Sequence, residues 1–63
     1  MTTYNTYQQL APVLDGEHWQ PNIKYRGDVE ASSEEVAIAI ARQMEVFRRA
    51  SGLARWPLVE EAI

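Results

Sequence analysis

Asp15, Glu17 and His18 form the one close grouping in this chain able to bind a metal or move protons, and they flank Gly16 in what reads as a turn. A metal needs three or more ligands held in fixed geometry, and a catalytic carboxylate needs a cleft that shifts its pKa. A solvated turn offers neither. The chain has no Cys, no Ser in a nucleophile-elbow context and no glycine-rich phosphate loop. These residues point away from an enzyme and call for no metal and no cofactor; a catalyst built on Glu17 and His18 ranks last among the readings. Arg26-Gly27-Asp28 matches an integrin-binding tripeptide, but Gly and Asp are ordinary turn residues, so a strand-ending turn is the better account.

Arg42, Arg48 and Arg49, with Lys24, Arg26 and Arg55, could form a basic face, since the planar guanidinium fork suits carboxylate and phosphate alike. Six cations stand against nine acids, however, for a net charge of −3. That balance disfavours nonspecific nucleic-acid binding, which rests on neutralising phosphates. A nucleic-acid-binding regulator using an arginine-bearing helix face remains the alternative function.

The elements that would carry these residues are uneven in their signals. Ser32-Ser33-Glu34-Glu35 reads as a capping box, with no Gly or Pro in the following run until Gly52, which predicts one amphipathic helix over residues 33–51. Val36, Ala39, Ile40, Met44, Phe47 and Ala50 fall on one stripe of that helix, and this stripe is the expected core, anchored by Ile40 and Phe47. Ile38 projects from the opposite side. With Val46 and Leu53 it outlines a second apolar seam flanked by Arg42 and Arg49, and arginine stems beside apolar tips are enriched at protein contacts. Ile38, Arg42, Val46, Arg49, Leu53 and Trp56 are therefore the expected partner-binding residues. Trp19 and Trp56 could each serve either the core or a contact.

Trp19, Pro21, Ile23 and Tyr25 alternate with Gln20, Asn22, Lys24 and Arg26, the period-two pattern of an extended segment over residues 19–25. Asp15-Gly16 before it is a turn signal. Residues 2–14 are ambiguous: Thr2, Thr3, Tyr4, Thr6 and Tyr7 favour strand, whereas Tyr7, Leu10, Ala11 and Leu14 keep helical spacing, and a short helix of one or two turns is the expectation. Pro57 at a first helical position, followed by Glu60 and Glu61, predicts a short C-terminal helical turn. The fold class expected from these elements is α+β with one dominant helix, in a single small domain over residues 1–63; an all-α arrangement is the alternative.

A chain of 63 residues buries only about 60% of its unfolded surface, so a lone core is marginal. Disulfides are excluded by the absence of Cys and a common zinc ligand set by the single His. Self-association or a protein partner is the expected supplement. The hydrophobic fraction of 46% lies in the globular range. No apolar run reaches bilayer length and the N-terminus lacks a signal-peptide pattern, so no membrane role and a cytoplasmic location are expected. The expected function is a non-catalytic protein-binding module, a small regulator, adaptor or inhibitor that covers a site on a larger protein.

Overall fold

Threonines and tyrosines decide the N-terminal half. In the computed structural model, which describes residues 1–63, β1 runs over Thr2–Asp15 and β2 over His18–Ala31, paired antiparallel as one long hairpin. Thr2, Thr3, Tyr4, Thr6 and Tyr7 are residues whose branched or aromatic side chains fit a pleated surface. They pair with Ala31, Glu30, Val29, Gly27 and Tyr25. The turn holds Gly16 at φ 64° and Glu17 at negative φ, the pattern of a type II′ hairpin with glycine at its first central position.

Two irregularities shape the hairpin. Between the Thr6–Gly27 and Tyr7–Tyr25 pairs, Arg26 is an extra residue, and Gly27 takes φ 114°, which a side chain would resist. Between the Leu10–Asn22 and Val13–Gln20 pairs, Ala11 and Pro12 oppose Pro21 alone. Both strand prolines thus fall where the ladder is already interrupted and a missing N–H costs no bond.

After β2, α1 spans Glu34–Ala41, α2 spans Glu45–Arg48, a 3-10 turn spans Gly52–Arg55, and β3 spans Leu58–Glu61. β3 pairs antiparallel with Tyr4–Tyr7 of β1, giving the sheet order β2-β1-β3. The fold is therefore mostly antiparallel sheet, with 51% of residues in strands and only short helices. This corrects both the α+β expectation with a dominant helix over residues 33–51 and the all-α alternative. The segment over residues 19–25 is extended as its alternation predicts, but it belongs to a strand twice that long. It pairs with the N-terminal segment, which is strand and not a helical turn.

The long helix fails at residues 42–44 without a Gly or Pro to announce it. Ala37 and Ala41, one turn apart, are fully buried, and so is Phe47. On one continuous helix the six residues from Ala41 to Phe47 would turn through about 240°, setting Phe47 about 120° from Ala41 and off the face turned to the sheet. Breaking the helix lets both reach the core. The Gln43 and Met44 amides bond back to Ile40 and Ala41, tightening the last turn, and Met44 then leaves the helical region at ψ 139°. The start is also one residue later than the capping box suggests: Ser33 is the N-cap, its hydroxyl accepting from the Val36 amide at 3.3 Å.

On α1 the expected stripe is turned away from the core, whereas its member Phe47 on α2 is enclosed. Ile40 and Val36 are each 40% exposed and Ala39 is exposed, whereas small Ala37 packs with Tyr4 and Ala31 beneath Val29 and Val59. Alanine at the contact lets helix and sheet approach closely. The C-terminal segment is a strand, not a helical turn. Too few residues remain there to sustain an isolated helix, while β1 offers a free edge whose ladder satisfies them, extended by the Ala62 amide donating to the Thr3 carbonyl at 2.9 Å.

Candidate functional site

Side chains of a strand alternate between faces, and directly paired residues share a face. Tyr4, Thr6 and Gln8 of β1 point to the helical layer and are buried. Their neighbours Thr3, Asn5, Tyr7 and Gln9 point to the opposite face, over which no element lies. The pairings place Tyr25, Ile23, Leu58 and Glu60 beside them on that open face, with Asp28 and Glu30 toward the base. The alternation of β2 carries the same face on through Pro21 to Trp19, and Leu14 lies opposite Trp19.

This open face has two zones. Toward the hairpin tip it is apolar: Trp19 is 66% exposed, Leu14 57%, Tyr25 55% and Ile23 48%. Tyr7 and Tyr25 meet edge to face with ring centroids 5.8 Å apart, and Tyr7, Ile23, Leu58, Val59 and Glu60 line a shallow pocket of about 350 Å³. Toward the base it is acidic, carrying Asp28, Glu30 and Glu60. It bears no Lys or Arg. The Tyr25 hydroxyl donates to the Asp28 carboxylate at 2.6 Å, and this bond, with the nearby charge, raises the Tyr25 pKa above its ordinary value of 10.0. The period-two alternation of Trp19 to Tyr25 is present in the strand, and its apolar side looks outward.

All six cations lie on the other side. Lys24 alternates onto the helix-covered face, and Arg26 Nε donates to Gln8 Oε1 at 3.0 Å. Gln8 in turn donates through Nε2 to the carbonyls of Val46 at 3.3 Å and Ala54 at 3.1 Å, so this buried amide ties β1 to α2 and to the 3-10 turn. No buried side-chain nitrogen or oxygen lacks a partner.

Of the six expected contact residues, the structure brings together Arg42 and Trp56, whose guanidinium carbon and ring centroid lie 4.3 Å apart, and Trp56 and Leu53, the Trp56 amide donating to the Leu53 carbonyl at 3.1 Å. Ile38 and Val46 are half-buried, Arg49 pairs with Glu45 at 2.7 Å, and Leu53 is exposed on the 3-10 turn. Ile38 lies on α1, Val46 on α2 and Leu53 on the 3-10 turn, so three elements carry the residues expected along one seam. Arg42 converges with Arg48 and Arg55 on a pocket of about 360 Å³, completed by Ala39 and Gln43. Of the six cations grouped from the sequence as a possible basic face, Arg42, Arg48 and Arg55 line this pocket, Arg55 brought in by the turn at 52–55, while Arg26 bonds Gln8 and Arg49 pairs with Glu45.

No family model, no curated protein and no solved structure matches the chain. The surfaces must be read from their own residues. No group of three or more His, Cys, Asp or Glu side chains is placed to hold a metal ion. Asp15 and His18 pair across the hairpin tip with Glu17 between them in the turn, and none of the three lines either pocket. No helix is long and apolar enough to cross a membrane.

Proposed function

We propose that this chain is a non-catalytic protein-binding module, a small regulator, adaptor or inhibitor that covers a site on a larger protein with the open face of its hairpin. The supporting observation is the contiguous row of Leu14, Trp19, Ile23, Tyr25, Tyr7 and Leu58, presented on a projecting arm with no element of the chain over it. Large exposed apolar patches on small proteins mark interaction sites, and rigid aromatic anchors contribute most where contacts are desolvated. The molecule exposes 4744 Å², against about 4,100 Å² for a compact monomer of its 7.2 kDa mass. The excess is comparable with the roughly 800 Å² that one partner contributes to a standard interface.

Charge selects the occupant. Asp28, Glu30 and Glu60 border the apolar zone and no cation shares the face, so the complementary surface is apolar at its centre and basic at one end. A second copy of the chain brings the same acids and no cation, which ranks a homo-oligomer through this face below a different protein. Nucleic acid is disfavoured here for the same reason: its phosphates would meet carboxylates.

The test is affinity capture from the source cells with mass spectrometry, followed by reconstitution with the purified partner. Ile23→Asp should abolish the complex while leaving the melting temperature of the free chain unchanged, because it would bury an unpaired charge at the contact. Arg49→Gln, on the opposite side, should leave it intact. A complex that survives both Ile23→Asp and Trp19→Ser would remove the open face as the docking surface.

A further inference from the structure

Arg42, Arg48 and Arg55 come from three separate segments, the C-cap of α1, the end of α2 and the end of the 3-10 turn, yet they surround one pocket. Like charges brought together without a counter-charge repel, and this repulsion is retained although the chain has nine acids to spend. None of those acids lines the pocket. The single ion pair of the protein, Arg49–Glu45, lies outside it. Arg42 is further held by a cation–π contact, its guanidinium carbon lying over the Trp56 ring 4.3 Å from the centroid.

From this geometry we infer a binding site for a small phosphate monoester, a class independent of the partner proposed for the open face. Three guanidinium groups present more donors than a lone carboxylate can accept, whereas a dianionic phosphate accepts from several forks at once. The pocket volume of about 360 Å³ lies at the small end of ligand cavities, room for a phosphate and a compact ester group beside it. Gln43, with both a donor and an acceptor, lines the same pocket and can hydrogen-bond the ester group. The wall is polar, with Ala39 its one apolar residue, which suits a charged ligand over an apolar one. Convergence on a point also separates this arrangement from nucleic-acid binding, where cations must be strung along a backbone.

The site is tested with the full chain by amide NMR titration at low ionic strength, using inorganic phosphate, a sugar phosphate, a nucleoside monophosphate and acetate. Saturable shifts at Arg42, Gln43, Arg48 and Arg55 are expected with phosphate and with at least one ester, the ester binding as tightly or more so. Acetate should bind at least tenfold more weakly. Arg48→Gln and Arg55→Gln, both exposed and outside the core, should each weaken phosphate binding at least tenfold with an unchanged melting temperature, while Ile23→Asp should bind as the wild type does. Because Ile23→Asp breaks only the open face, the two proposals fail separately. Absence of saturable shifts with phosphate and both esters, equal affinity for acetate, or unaltered binding in both arginine variants would overturn the site. A short oligonucleotide that shifts these residues when phosphate and the esters do not would also overturn it, assigning the arginines to a polyanion.

Discussion

Gln8 is the residue on which the sheet and the helical layer meet. Its amide uses both N–H groups on the Val46 and Ala54 carbonyls and its oxygen on Arg26. Gln8→Leu keeps the volume but leaves those carbonyls and the guanidinium without a partner, and should cost about 1–3 kcal/mol in urea unfolding. A loss no larger than that of an exposed substitution would show that the bonds are replaced by water. Tyr25 gives a second test at this scale. Its pKa is raised chiefly by the hydrogen bond to Asp28, so the folded state holds the phenolic proton more tightly than the unfolded one. The associated stability is complete below the unfolded pKa near 10 and disappears as pH rises through the higher folded value. In Asp28→Asn the tyrosine absorbance titration should move toward ordinary pH; an unchanged curve would exclude Asp28 as the cause.

Among the elements, α1 and α2 divide what local pattern would unite. Phe47 is fully enclosed and Ile40 is not, so the two residues of the expected core stripe should behave differently. Phe47→Ala should cost about 3–5 kcal/mol, whereas Ile40→Ala should cost about 1 kcal/mol because its side chain is already partly in water. Ala37→Leu should destabilise by about 1–3 kcal/mol through overpacking against Tyr4 and Ala31. On a single straight helix with the stripe inward, Ile40→Ala would be the costly change and Ala37→Leu nearly neutral. Urea denaturation of the three variants decides between the arrangements.

At the scale of the molecule, the hairpin makes the shape. The Cα radius of gyration is 12.8 Å, against about 10.6 Å for a compact chain of this length, and the longest extent is 43 Å. Only 8 of 63 residues are buried, so stability is small and sensitive to anything that binds the folded form. The melting temperature of the free chain is expected to be independent of dilution and to rise when the open face is occupied. A melting temperature that climbs with protein concentration would assign that face to a second copy.

The alternation of Trp19, Pro21, Ile23 and Tyr25, the Asp15-Gly16 turn and the serine-rich helix start are local signals; the turn and the helix start are honoured to within a residue, and the alternation holds inside a strand twice as long as the segment it marked. Local pattern also carried the β tendency of Thr2 to Tyr7, though a competing helical spacing and Pro12 obscured it. Tertiary structure decided the rest, because periodicity shows which residues share a face and not which face is covered. The helical layer lies on the Tyr4–Gln8 side, and that choice turned the apolar row of β2 outward. The same packing broke the helix so that Ala41 and Phe47 could both be enclosed, took the C-terminal residues into the sheet edge, and drew Arg55 beside Arg42 and Arg48. Each of these outcomes rests on contacts between residues distant in sequence, which no reading of neighbouring residues can supply.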